Sequence, residues 1–193
     1  MRNVVSSVIA IVVITAVFGF GYPLVMTGFA QLAFKSQANG SLITVNGKVV
    51  GSKLAAQEFT GPRYFHERPS AVSYNAAGTS FANLGPTSPD LAKNVKAAAT
   101  AILALEGPYN PGLTIREIPV DAVTTSASGI DPEISPAYAK LQSARIAAVR
   151  HLPLATVQQL VKKYTAGRSW GFFGEPGVNV LDLNLALDKE SSS

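Results

Sequence analysis

VVSSVIAIVVITAVFGFGYPLVMTGFAQLAF, residues 4–34, holds no charged side chain. Arg2 lies ahead of it and Lys35 closes it. Valine and isoleucine fall on every side of the stretch, and a helix that is apolar all round needs lipid or a large core. At ~1.5 Å per residue, Val4 to Tyr22 alone covers about 28 Å, close to the ~30 Å hydrocarbon thickness of a bilayer. The stretch reads as one transmembrane helix, with a domain hung from it. A cleaved signal peptide is the competing reading. Its apolar region usually runs only ~7–15 residues, and no Ala-x-Ala site follows, because Ala30 and Ala33 have the wrong spacing. An anchor that stays attached is therefore expected over residues 1–34, and one α+β domain over residues 35–193.

Pro23 lies inside the apolar run beside Gly19, Gly21 and Gly28. Proline removes a backbone donor and kinks a helix, and in lipid the freed carbonyl needs a partner. Small residues let helix backbones approach closely. The helix is thus expected to pack against other membrane helices. Charge does not fix its orientation. Arg2 and the amino terminus weigh against Lys35, Lys48 and Lys53, too few for the positive-inside rule to decide.

Composition narrows the remainder. The chain has 193 residues, 16 basic and 12 acidic, and a formal net charge of +4. The basic residues are scattered, and only Lys162-Lys163 are adjacent, so no stripe for nucleic acid exists. There is no cysteine, which excludes disulfides and thiol chemistry. His66 and His151 are too far apart in sequence to form a metal-binding pattern. The Ser191–Ser193 tail is expected to fray.

After a polar linker at Ser36–Ser41, Asn46-Gly47 between β-branched residues predicts a hairpin across Leu42–Val50, because a type I′ turn needs positive φ at both central positions. One short helical turn is expected at Lys53–Phe59. Thr60–Pro89 carries five proline or glycine breaks, yet also Tyr64, Phe65, Tyr74 and Phe81. Those aromatics are expected to pack, and an ordered irregular segment of this length is often functional.

Ser88-Pro89-Asp90 and Ser135-Pro136 each combine an N-cap with a proline at the first helical position. The first helix puts Leu91, Val95, Ala98, Ile102 and Leu105 on one face and stops at Gly107-Pro108. The second runs to Leu152 with Tyr138, Leu141, Val149 and Leu152 inside. At 100° per residue Arg145 falls within that apolar stripe and Gln142 at its margin. A buried cation needs a partner; Asp131 and Asp182 are the candidates, with Arg145 expected to pin the Asp131 loop. The competing reading gives Arg145 a phosphate or a partner's carboxylate.

Leu113–Thr125 reads as extended. Leu154–Thr165 reads as a helix with Val157, Leu160, Val161 and Tyr164 inside. Gly167–Gly177 is a glycine-rich loop holding Trp170, Phe172 and Phe173, read equally as a docking surface or as core packing. Val178–Asp188 alternates and reads as a last strand, though its end is compatible with helix.

No phosphate loop, dinucleotide fingerprint or nucleophile elbow is present. Ser143 with Lys140 is a weak serine–lysine pair, the basis for a membrane-anchored hydrolase as an alternative of another class. Asp131 and Glu133 lie near a helix N-terminus, where the dipole accounts for them.

Longer motifs carry a resemblance. They are Tyr22-Pro23-Leu24, Gly51-Ser52-Lys53-Leu54, Gln57-Glu58-Phe59, Tyr64-Phe65-His66-Glu67-Arg68-Pro69-Ser70-Ala71, Tyr74-Asn75, Asn83-Leu84-Gly85-Pro86, Val123 to Pro136, Gln142 with Arg145, Ala147 and Arg150, and Gly174 to Leu181 with Asn184. In this order they resemble the C subunit of bacterial Kdp-type potassium-transporting ATPases. Gly177 departs from the resemblance, since the family pattern usually has arginine there. The resemblance implies a non-catalytic accessory subunit anchored once in the inner membrane. It implies no catalytic, cofactor-binding or metal residue, with ATP and potassium handled by partner subunits. Its partners would be the potassium pore subunit and the ATPase subunit, besides the bilayer. Pro23, Tyr64, Phe65, Arg68, Asp131, Gln142, Arg145, Trp170, Phe172 and Phe173 are the structural or partner candidates. The family has also been described as a catalytic chaperone that raises the ATPase subunit's affinity for nucleotide. A domain outside the cytoplasm would be unable to touch cytoplasmic ATP, so the assembly role is favoured.

Overall fold

The computed structural model describes residues 1–190, so the Ser191–Ser193 tail lies outside the described residues. The chain divides into two compact units, Met1–Val50 and Gly51–Ser193.

The first unit begins with a continuous helical run over Arg2–Ala33. It consists of α1 (Arg2–Ile14), a π-helical stretch at Thr15–Gly21, and α2 (Tyr22–Ala33). The π-helical stretch ends one residue before Tyr22-Pro23. Proline has no N–H to give and its ring crowds the carbonyl four residues back, so the widened turn absorbs the misfit. No residue of the most apolar window is buried, and at ~1.5 Å per residue the 32-residue run is ~48 Å long. The run is long and apolar enough to cross a membrane and to extend beyond its hydrocarbon. A short α3 (Lys35–Ala38) follows, and Asn39 exchanges side-chain bonds with Gln31. Then β1 (Leu42–Val45) and β2 (Lys48–Ser52) form the expected hairpin, with Asn46 at φ +50° and Gly47 at φ +77°.

The second unit mixes helices with a small sheet, an α+β arrangement. Its long helices are α4 (Pro89–Glu106), α6 (Pro136–Arg150), α7 (Leu154–Lys163) and α8 (Val180–Glu190), with a short α5 (Val120–Val123) between α4 and α6. Strands β3 (Glu133–Ile134), β4 (Thr165–Ala166) and β5 (Gly177–Asn179) form an antiparallel sheet in the order β3-β5-β4, with Ile134 and Thr165 both opposite Val178. The core joins Ile102, Ala122, Ile134, Tyr138, Ile146, Val157, Val178, Leu183 and Leu187, and Phe65 from the irregular segment is buried among them.

Both cap-plus-proline starts are where the sequence puts them. At α6 the Ser135 hydroxyl accepts from the Tyr138 N–H at 3.0 Å. Asp121 of α5 accepts from both the Ser135 N–H and its hydroxyl, at 2.7 and 2.8 Å. His151, at φ +57°, caps α6 after Arg150, two residues short of the expected Leu152.

Three expectations fail. Leu113–Thr125 is not extended: Ile115–Glu117 is a 3₁₀ turn and Val120–Val123 is helical. A capping box at Thr114 and Glu117 starts the turn, and Pro119 sets the backbone for α5. Val178–Asp188 is strand only to Asn179, then α8. There Asn179 accepts from the Asp182 N–H at 3.0 Å, and Val180, Leu183, Asn184 and Leu187 share a buried helical face. Lys53–Phe59 holds no helix; the Ala56 N–H donates instead to the Ile130 carbonyl at 2.9 Å.

Thr60–Pro89 is irregular as expected, but Phe81 is exposed. Its middle is fixed to the 124–131 loop. Ser70 donates to the Gly129 carbonyl at 2.6 Å, and the Ser126 N–H donates to the Pro69 carbonyl at 3.2 Å. At Gly129, φ +74°, a Cβ would meet Val72 at 2.5 Å and the Ser80 carbonyl at 2.9 Å, so both torsion and space demand glycine.

Candidate functional site

Residues 62–66 are an irregular strip whose backbone has no strand partner. Phe65 is buried at its centre, and where the strip packs on the domain its N–H and C=O groups must still be satisfied. Four side chains from α6 and α8 do so. The Gln142 amide accepts from the His66 N–H at 2.7 Å and donates to the His66 carbonyl at 3.0 Å. Asn184 treats Phe65 in the same way, at 2.8 and 3.0 Å. Arg145 Nη1 donates to the carbonyls of Pro62 and Tyr64, and Arg150 Nε to that of Arg63. Two amides thus imitate the two-point pairing of a neighbouring strand, and two guanidinium groups collect the leftover carbonyls.

Arg145 is 0 % exposed. Its charge is matched by neither expected partner: Nε pairs with Glu106 at 2.8 Å, equally buried, at the last turn of α4. Asp131 instead pairs with Arg68 at 3.0 Å, and Asp182 with Lys53 at 3.0 Å. Arg145 therefore pins the 62–66 strip rather than the Asp131 loop. Gln142, expected at the stripe's margin, is fully buried and also accepts from Arg145 Nη2 at 2.9 Å. Arg150 and Asn184 entered the sequence reading only as carriers of the resemblance, and Glu106 was not singled out. Arg150 bonds Asp188 at 2.9 Å and lies 4.9 Å above the Tyr64 ring, whose hydroxyl also reaches Asp188 at 3.3 Å. Burial pushes the Glu106 carboxyl up against the pull of Arg145. Burial lowers the His66 imidazole, and the Arg145 charge adds to this against the Gly61 carbonyl 3.0 Å from Nε2.

Glu67 follows on the strip. It is buried, and desolvation pushes its carboxyl from 4.5 up to about 9, with the Asp131 charge adding. Its neighbour Arg68 lies against Asp131 and the Thr125 carbonyl. Tyr64, Phe65, Arg68, Asp131, Gln142 and Arg145 are thus brought into one connected region.

Trp170, Phe172 and Phe173 stand apart from it. They belong to an arm, residues 167–176, between β4 and β5. Ser169 and Phe173 exchange backbone bonds at 2.9 Å, and Trp170 and Gly171 turn the chain at φ +54° and +83°. The rings pack on one another, with Phe172 and Phe173 centroids 4.2 Å apart. They are 87, 62 and 59 % exposed, which decides against core packing. Pro23 lies in the first unit.

The serine–lysine pair does not assemble into a nucleophile. Ser143 is buried and its hydroxyl donates to the Ala139 carbonyl at 2.8 Å. Among the described residues no group of three or more His, Asp or Glu side chains gathers as metal ligands.

Among the described residues one apolar helix of membrane-spanning length precedes an α+β domain with an irregular strip locked by polar side chains, which defines a membrane-anchored extramembrane module. The chain matches the family described as "K+-transporting ATPase, c chain" over residues 4–189. It is 54% identical over 185 residues to the potassium-transporting ATPase KdpC subunit of Burkholderia orbicola, covering 94% of this chain and 93% of that one. It is 47% identical over 189 residues to the KdpC subunit of Koribacter versatilis, covering 97% and 94%. The chain belongs to the KdpC family.

Proposed function

We propose that this chain is an accessory subunit of an ATP-driven potassium pump, assembling and stabilising the complex of its pore and ATPase subunits. The observation that carries this reading is the 32-residue apolar helix, none of whose most apolar window is buried by the chain itself. Pro23 removes one backbone donor from the helix, and Gly19, Gly21 and Gly28 permit close approach of a neighbouring helix. Helices of the pore subunit supply both the partner and the surface. The domain lies outside the cytoplasm. ATP and potassium are handled by the partner subunits. The locked 62–66 strip fits a part that holds shape and does not turn over substrate.

Affinity purification of the tagged full chain in mild detergent tests the reading. The pore and ATPase subunits are expected to co-purify, and deletion of the chain is expected to abolish potassium-stimulated ATPase activity in membranes. Normal assembly and transport without the chain would overturn it.

A further inference from the structure

The arm and the cleft beside it form one surface. Gly167 and Pro176, where the arm leaves and rejoins the domain, line a cleft of about 670 Å³ together with Val161, Lys140 and Lys162. Among the described residues no carboxylate lines that cleft. On the arm itself Arg168 and Glu175 pair at 2.6 Å and cancel. The result is an aromatic tip in water, flanked by two lysines over a mainly apolar hollow. Trp170 lies in the left-handed region at φ +54°, at the turn of the arm, with its indole exposed.

The geometry points to this surface as a docking site for a bilayer rich in anionic lipid: the aromatic tip enters the interface, and Lys140 and Lys162 meet lipid phosphates. Three observations favour lipid as the occupant. The chain is covalently continuous with a helix of membrane-spanning length, so a bilayer is the one large surface every copy meets. Tryptophan's amphipathic ring is suited to the headgroup level. The cleft's charge is complementary to an anionic leaflet, where each lysine is worth about 1 kcal/mol. The inference rests on the helix spanning a bilayer, which the proposed function shares.

Trp170 is the only tryptophan of the chain, so its emission reports on the arm alone. The full chain is reconstituted into vesicles of phosphatidylcholine, with or without phosphatidylglycerol, carrying brominated acyl chains. With phosphatidylglycerol present, the emission is expected to shift to the blue and to be quenched by bromine. Lys140→Gln with Lys162→Gln is expected to lower the docked-to-free ratio about fivefold per lysine. Emission that stays at the aqueous maximum and open to acrylamide in both vesicles overturns the inference. Emission of the reconstituted chain that is shielded from acrylamide yet untouched by brominated lipid also overturns it, because protein then covers the arm. Failure of the pump subunits to co-purify leaves this readout unchanged, so the two readings fail separately.

Discussion

Residues 61–69, GPRYFHERP, and residues 167–176, GRSWGFFGEP, read alike as sequence. Each has glycine, proline, arginine and adjacent aromatics, and neither has a periodicity. Their fates are opposite. The first is fastened along its backbone by Gln142, Arg145, Arg150 and Asn184, and buries Phe65. The second is closed by its own Ser169–Phe173 bonds and one exposed ion pair, and leaves three aromatic rings in water. What separates them is not in either segment. It is whether distant helices present polar groups spaced to meet the strip's N–H and C=O groups.

The strongest way to break the contrast is at Arg145. Arg145→Met strands Glu106 and two carbonyls in the core, and breaking a buried pair from one side costs ~3–5 kcal/mol. Thermal or denaturant melts of the chain in detergent measure it. Arg145→Met with Glu106→Leu is expected to recover part of the loss, since no charge is then buried alone. Full stability with loss of pump activity would instead make Arg145 a partner contact.

Next comes Gln142→Leu, which leaves the His66 N–H and carbonyl unpaired for about 1–3 kcal/mol. Glu67 gives a pH-dependent effect. Its folded pKa of about 9 exceeds its ordinary 4.5, so the folded state holds a proton that the unfolded state releases. Its contribution is therefore full below pH 4.5 and is lost as pH rises toward 9. The melting temperature is expected to fall as pH rises from 5 to 8, and Glu67→Gln is expected to flatten that slope. The smallest effect is at the arm. Replacing Trp170, Phe172 and Phe173 with serine is expected to change stability by less than ~0.5 kcal/mol each, as at other exposed positions. Loss comparable to Gln142→Leu would move the arm into the core.

The helix at residues 2–33, the Asn46-Gly47 hairpin and both Ser-Pro helix starts were legible, because each rests on a local rule. Arg145 was legible as a buried cation from its place on the α6 face. Its partner was not, since Glu106 lies 39 residues earlier, at a helix end where an acid reads as solvated. Gln142 and Asn184 were hard to weigh for a related reason. Apolar periodicity finds faces that pack on apolar surfaces, whereas these residues pack on backbone. In α8 the Leu181-x-Leu183-x-Leu185-x-Leu187 alternation imitated a strand, while Leu183 and Leu187 also fit one helical face. Only the tertiary setting chose between them.

Hydrogen exchange on the intact chain tests the contrast most directly. The Phe65 and His66 amides, bonded to buried Asn184 and Gln142, are predicted to exchange only with opening of the domain. The amides of residues 170–173 are predicted to exchange orders of magnitude faster. Equal protection in the two segments, or faster exchange at residues 65–66, would contradict the account.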